Sequence, residues 1–555
     1  MTVEHLNTAL LIGTAVVLVA VAAVRLSVFS GLPSLLLYLG LGLALGDAGA
    51  GISFNDPDLT QVLGYAALVL ILAEGGLTTR WSDIRSSVAP AAVLSTVGVV
   101  VSVLVVAVAA HLLLNRPWIE ALLVGAVLSS TDAAAVFSVL RRVPIHPRLA
   151  GILEAESGLN DAPVVLLVVT LSAQAAGEAG HGWLELVGLA TLELAVGGLV
   201  GLLVGFVGAA ALRRLALPSS ALLSLAVVAL AVGAYAAAAR VHASGFLAVY
   251  VAALVLGNAH LPHRAAVRGF AEALGWLAQI GLFVLLGLLA SPQDMDKAWV
   301  AAQQLALASA LVLGLVLLLV ARPISVVVSV TAFRLPWRHQ AFLSWAGLRG
   351  AVPVVLATVA VSAIGPDVRW MFDLVFVLVV VFTLVQAPLL PFVTRRLGVG
   401  NIVDSRDLDL ESAPLETLDA DAVQVRVGET SRMHGLEVFE LRLPPGANVT
   451  LVVRDGTSFV PDQRTVLRRG DQLLVVATSA VRRDVLRRLR AVSRGGRLAV
   501  WGQSAEAPRG TRAISQAGGY GTAGSRVAGA IRGVRGRLPG RSPGSTSRRG
   551  GGTLR

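Results

Sequence analysis

The chain has no cysteine among its 555 residues, which excludes disulfide frameworks and thiolate metal sites. It is also poor in charge. Asp, Glu, Lys and Arg make up 14% of it, against roughly 25% in soluble domains. Apolar side chains account for 55% of the residues, and the mean hydropathy is +0.76. That composition is that of a polytopic membrane protein. Catalytic signatures are missing as well: there is no phosphate-binding P-loop, no GxSxG elbow set between strand and helix, and no metal-ligand cluster, so nothing supports an enzyme or a bound cofactor. The nine histidines are scattered. His260 and His263, the closest pair, lie in a short loop beside Pro262 without carboxylates, and read as solvated rather than metal-binding. No cleavage pattern follows the first apolar run, Ala9 to Val24, which further spans succeed.

What the chain does have is a series of apolar runs. A membrane helix needs about 20 apolar residues, and runs of that kind lie near 7–27, 31–47, 58–77, 86–112, 118–140, 149–177, 183–212, 219–239, 244–257, 267–290, 297–330, 340–363 and 369–394. The expected membrane domain, residues 1–396, thus holds about thirteen helices. Alternate loops carry arginines: Arg80 and Arg85; Arg141, Arg142 and Arg148; Arg213 and Arg214; Arg264 and Arg268; Arg334 and Arg338; Arg395 and Arg396. The other loops are acidic or neutral, so the arginine-bearing set is expected in the cytoplasm, with the N-terminus outside and the C-terminus inside. The expected location is the plasma membrane.

Beyond Arg396 the composition changes. Residues 397–420 read as an acidic linker and 421–490 as a small α/β domain. Strands are predicted at Val423–Val427, Glu437–Leu443, Asn448–Arg454 and Gln472–Ala477, and a basic amphipathic helix over Ser479–Val492. The tail, 491–555, reads as disordered, with ten arginines and one glutamate after Trp501. A basic tail of this kind sits better near anionic lipid headgroups than on nucleic acid, which is not an expected partner, and a solvated tail without a specific partner is the plainest alternative.

Four places set polar groups at membrane depth, where a charged side chain costs at least ~2.5–3.5 kcal/mol. The first is Glu156-Ser-Gly-Leu-Asn-Asp161. In a helix starting near Leu149, Asp161 lies about 18 Å along the axis, near the middle of a ~30 Å core. Ser157 and Asp161 are i, i+4 neighbours on one face, and Glu156 and Asn160 form the adjacent pair. A lone Asn or Ser would read as a hydrogen-bonded helix contact; this grouping reads as functional. The second is Ser129-Ser-Thr-Asp132, where hydroxyls and an acid at mid-span suggest an interrupted helix with free carbonyls. Hydroxyls bonded back to their own helix are the alternative, and Asp132 weighs against it. The third is Ser344–Pro353, where Gly347, Gly350 and Pro353 suggest a second broken helix and Arg349 needs a buried partner; charge alone points to Glu156. Breaks in the fifth and twelfth runs correspond if the first six repeat as the last six, the inverted-repeat pattern of secondary transporters. The fourth is Glu74, which reads equally as an interfacial acid or a group on the ion route.

Ser-Thr-Asp (130–132), Glu-Ser-Gly-Leu-Asn-Asp (156–161), Gly-Phe-Leu-Ala-Val-Tyr (245–250), Gly257-Asn258 and Gly-Leu-Arg-Gly-Ala-Val-Pro (347–353) resemble the signatures of monovalent cation:proton antiporters of the NhaP type, in order and spacing, over about residues 1–396. Leu-Pro-Pro-Gly-Ala (443–447) and Gly-Asp-Gln-Leu-Leu-Val-Val (470–476) resemble potassium-regulatory TrkA-C domains. Together the two parts resemble potassium/proton antiporters linked to cell-volume regulation. The resemblance implies a thirteen-helix homodimer of inverted repeats with two broken crossing helices, and K⁺ or Na⁺ and H⁺ as substrates. It implies Asp161 as the shared cation and proton site with Asn160 beside it, Ser157, Thr131 (through its carbonyl) and Glu74 as cation ligands, and Glu156–Arg349 as a structural ion pair. Ala133 and Ala162 depart from the family's common pattern, which bears on local helix geometry.

Desolvation raises a buried carboxylate's pKa and a bound cation lowers it, so one aspartate holds a proton or a cation but not both. The Asn160–Asp161 pair offers a single acid, which implies electroneutral exchange. A cation channel gated by the soluble domain is the first rival, although no Thr-Val-Gly-Tyr-Gly-like filter occurs. Another proton-coupled solute carrier, with Arg349 holding an anionic substrate, is the second. Oxygen ligands alone do not choose between K⁺ and Na⁺; the soluble domain, whose ligand is unknown, favours K⁺.

Overall fold

A computed structural model describes residues 3–30, 33–46, 49–52, 54, 56–131, 145–177, 183–215, 218–289, 308, 310–400, 408–415, 420–429, 431–478 and 480–499. Asp132, Ala133 and the basic tail from Val500 onward lie outside them.

The apolar runs become helices because no water is present at membrane depth to satisfy open backbone groups. Nine helices of the described residues are long and apolar enough to cross a bilayer, and the pair Trp337–Ala346 and Ala351–Ile364, bent by 53°, forms a tenth. Three shorter apolar helices, Ser34–Leu45, Trp118–Ser129 and Gly245–Asn258, fall on three further predicted runs. Length and composition therefore qualify nine or ten spans, and do not fix the count at thirteen.

Close helix contact relies on small residues, since lipid offers no hydrophobic drive for helices to associate. A Cβ on Gly42 would run into the Val284 carbonyl, and one on Gly287 into the Leu39 carbonyl, so Ser34–Leu45 and Arg264–Leu289 cross backbone to backbone. The Trp183–Leu215 helix uses Gly197 and Gly201 in the same way against the start of Gly245–Asn258. Helix Pro57–Thr78 is started by Asp56, whose carboxylate accepts from Leu59 N at 2.9 Å, with Pro57 in its first turn. That helix packs against Gly245–Asn258, Arg264–Leu289 and Ala351–Ile364, and so forms one wall of the site below.

The soluble part is a five-stranded antiparallel sheet in the order β1-β2-β5-β3-β4: β1 Leu408–Leu415, β2 Ala420–Val427, β3 Ala447–Arg454, β4 Thr457–Phe459 and β5 Gln472–Thr478. Helix Arg482–Gly495 covers it, and Val485, Leu489 and Val492 join Val423, Val425, Val449, Val452, Leu473 and Val475 in one core. Two expectations change here. The acidic stretch 397–420 contains β1, paired residue for residue with β2. Glu437–Leu443 is not a strand; Val438–Leu441 is a 3₁₀ turn closed by a reciprocal Glu437/Glu440 capping box, and Pro444 follows. Arg454 grips the buried Asp471 with Nε at 2.9 Å and Nη2 at 2.8 Å, which holds the guanidinium pKa above its ordinary value.

Candidate cation-binding site

The centre of the site is the helix Pro147–Ala175, which runs unbroken past Pro163. A proline there removes the donor to the Leu159 carbonyl, next to the residues of interest. Asn160 and Asp161 are buried, as are Glu156 and Ser157. Opposite them, helix Trp118–Ser129 ends at Ser129, and Ser130 turns to an extended conformation (φ −62°, ψ 142°). This break brings three consecutive residues to the aspartate helix. Ser130 Oγ donates to Asp161 Oδ1 at 3.0 Å. Ser157 Oγ donates to the Thr131 carbonyl at 3.1 Å. Asn160 Nδ2 reaches Thr131 Oγ1 at 3.2 Å and the Ser129 carbonyl at 3.4 Å.

Asp161, Asn160, Ser157 and Thr131 are thus assembled in one place, and the Thr131 carbonyl is held by Ser157. Sequence reasoning gives neither Ser129 nor Ser130 a role, yet Ser130 bonds the aspartate. The Asn160 Oδ1 makes no hydrogen bond among the described residues.

The second break lies between Ala346 and Ala351. Gly347 and Gly350 leave helical geometry, whereas Pro353 sits in the first turn of the resumed helix, where its missing N–H costs that helix no hydrogen bond. Pro353 also lacks the N–H that would bond the Arg349 carbonyl four residues back, so the helix does not continue through the glycines. Thr383 Oγ1 donates to the freed Arg349 carbonyl at 2.9 Å.

The expected Glu156–Arg349 pair is not formed; Arg322 takes the place of Arg349. Its Nη1 stands 2.6 Å from Glu156 Oε1 and its Nη2 2.8 Å from Oε2, with both side chains buried. Arg322 reaches across the second break because Gly347 has no side chain: a Cβ there would lie 2.6 Å from the Arg322 Nε. Ser95 Oγ also donates to the Glu156 carbonyl at 3.1 Å. Arg349 is buried near this pair, and its Nε and Nη1 make no hydrogen bond among the described residues.

A cavity of about 480 Å³ reaches the site. Asp161 and Ser157 line it, together with Glu74 and Thr78 of helix Pro57–Thr78, Glu272 of Arg264–Leu289, and Val352 just past the second break. Glu74 therefore shares the cavity with Asp161. Helix Arg264–Leu289 comes close at this point, since a Cβ on Gly275 would meet Glu74 Cγ at 2.8 Å. Glu154 lines the cavity too and accepts a hydrogen bond from Thr79 Oγ1. Residue spacing carried that signal: Glu154, Ser157 and Asp161 are i, i+3 and i+7 on one helix face.

An aspartate buried beside two broken helices and reached by a cavity that Glu74, Glu154 and Glu272 also line is the geometry of an ion carrier. The family model described as "Sodium/hydrogen exchanger, transmembrane" matches residues 14–396. The chain belongs to this exchanger family. A second model, the TrkA-C domain, matches residues 422–490 of the exchanger. The K(+)/H(+) antiporter NhaP of Alkalimonas amylolytica is 35% identical over 490 residues, spanning 86% of this chain and 82% of that protein. The K(+)/H(+) antiporter NhaP2 of Shewanella oneidensis is 32% identical over 487 residues, with the same coverage. The Na(+)/H(+) antiporter NhaS2 of Synechocystis is 30% identical over 411 residues, 72% of this chain and 71% of that one. Among solved structures, the sodium proton antiporter MjNhaP1 from Methanocaldococcus jannaschii superposes with a TM-score of 0.57 at 21% identity, covering 71% of this exchanger and 99% of that chain. That likeness concerns the fold.

Proposed function

We propose that the protein is a secondary antiporter of the plasma membrane that exchanges one monovalent cation for one proton, by competition at Asp161. The observation that carries this reading is the Asp161 carboxylate itself: buried, hydrogen-bonded by Ser130, and lining the cavity that Glu74 shares. Out of water, a lone carboxylate favours the protonated form, and a cation held by neighbouring oxygens favours the ionised one. Ser157, Thr131 and Glu74 supply those oxygens, and the break after Ser129 supplies carbonyl dipoles without a charge of their own. Asn160 ties the aspartate helix to that break and does not titrate, so the site carries the same net charge with either substrate. Exchange is then electroneutral, with Glu74 held outside the proton count. Glu156 and Arg322 are scaffold.

Orientation follows the same reading. The arginine-bearing loops face the cytoplasm, and the cavity wall includes Thr78 and Thr79, next to Arg80 of one such loop, which supports access from the cytoplasm. A second copy of the chain completes a homodimer, and the TrkA-C domain regulates transport from the cytoplasm. K⁺ is the preferred cation, supported by the names of the relatives at 35% and 32% identity, with Na⁺ as the second choice.

Everted vesicles with a pH-sensitive dye test this. K⁺ is expected to collapse a preformed proton gradient at lower concentration than Na⁺ or Li⁺, without building a membrane potential. A chain ending at Arg396 is expected to retain exchange with an altered cation or pH dependence. Failure of all three cations to move protons overturns the function, and a transport-dependent potential overturns electroneutrality.

A further inference from the structure

Tyr250 is 4% exposed and lines the Asp161 cavity, yet its hydroxyl makes no hydrogen bond among the described residues. A buried polar group without a partner is costly to keep. Its placement is closely fitted. The ring lies on Gly158: a Cβ there would run into Cε2 and Cζ and stand 2.7 Å from the hydroxyl oxygen. Gly158 is four residues after Glu154 and three before Asp161, so the phenol sits on the helix face between the two carboxylates. Glu154 belongs to the same cavity wall and is held by Thr79 Oγ1 at the end of helix Pro57–Thr78. Seven residues separate Glu154 from Asp161, about 10.5 Å along the helix axis, so one ion does not touch both.

We propose that Tyr250 and Glu154 form a second monovalent-cation site, an outer station that the ion occupies before it reaches Asp161. The proposal rests on the exchange reading above and deepens it. A partly dehydrated alkali cation needs oxygen ligands to replace lost water. The phenol oxygen supplies a neutral one, with its lone pairs unclaimed by described residues, and Glu154 supplies the charge. Thr79 fixes the carboxylate so that it does not swing onto the neighbouring helix backbone.

Steady-state exchange by the full-length protein in proteoliposomes tests the idea, with K⁺ as the probe. Tyr250→Phe keeps the ring on Gly158 and removes only the oxygen. It is expected to raise the apparent KM for K⁺ about five- to tenfold while the maximal rate stays within about twofold, the effect of losing one ligand. Glu154→Gln is expected to do the same, and the double variant to go no further than the larger single effect, because both residues serve one station. Wild-type KM in both single variants overturns the proposal, as does a fall in maximal rate with KM unchanged, which marks a packing role. Independent, multiplying effects also overturn it. Asp161→Asn measured alongside separates the two levels: exchange near the wild-type rate there sinks the Asp161 reading, whereas an Asp161→Asn slowed about a hundredfold beside an unaffected Tyr250→Phe sinks the outer station alone.

Discussion

Asp161→Asn is expected to lower cation-driven proton movement about a hundredfold or more, equivalent to ~2.7 kcal/mol. Asparagine keeps the size of the side chain and can still face Ser130, so the fold and the break after Ser129 should survive. It cannot ionise, and it therefore neither releases a proton nor neutralises a cation. Both halves of the cycle depend on the same atoms. Asp161→Glu restores an acid but displaces it by one methylene in a site whose hydrogen bonds are already made, so a partial rate is expected. The measurement is proton flux in vesicles with matched protein levels. Exchange at wild-type rate by Asp161→Asn would sink the mechanism.

Arg322→Ala is expected to lose ~3–5 kcal/mol of stability, because it leaves the Glu156 carboxylate buried and uncompensated. The pair has two close contacts, 2.6 and 2.8 Å, and both side chains are buried. Thermal unfolding in detergent should show a large drop for Arg322→Ala and a smaller one for Arg349→Ala. Adding Glu156→Ala to Arg322→Ala should recover part of the loss, since the stranded charge is then gone. Equal losses for Arg322→Ala and Arg349→Ala would contradict the assignment of Arg322 as the partner of Glu156.

That assignment marks the limit of what the sequence conveys. Charges at membrane depth are visible as breaches of apolar composition, and Glu156, Asp161 and Arg349 stand out for that reason. Which arginine meets Glu156 depends on how two helices cross at Gly347, and that information is three-dimensional. Arg322 carries the same signal, an arginine between Val320-Ala321 and Pro323-Ile324, but sits near the end of a long run read as plain span. The breaks themselves were legible because glycines or hydroxyls cluster there with a charged side chain, Asp132 in one run and Arg349 in the other, which helix packing alone does not call for.

The soluble part repeats the lesson. Leu408-Asp-Leu-Glu411 alternates with period two, the pattern of a strand with one face covered, but its acids read as a linker. Glu437–Leu443 is rich in apolar residues, and its Glu-x-x-Glu capping box decides for a turn instead. Cavity walls were the least legible feature. Glu154 and Tyr250 come together only because Gly158 lets a ring from another helix lie on the backbone.

The most direct test of the central claim is proton release on cation binding. Purified protein in weakly buffered detergent solution, held at a pH where Asp161 is protonated, receives K⁺ while the free proton concentration is followed. A ligand that must ionise to bind a cation gives up its proton on binding, and its cation affinity falls about tenfold per pH unit on the acid side. The account predicts proton release that saturates with K⁺, approaches one per chain, and disappears in Asp161→Asn. K⁺ binding without proton release, or release undiminished in Asp161→Asn, would contradict it.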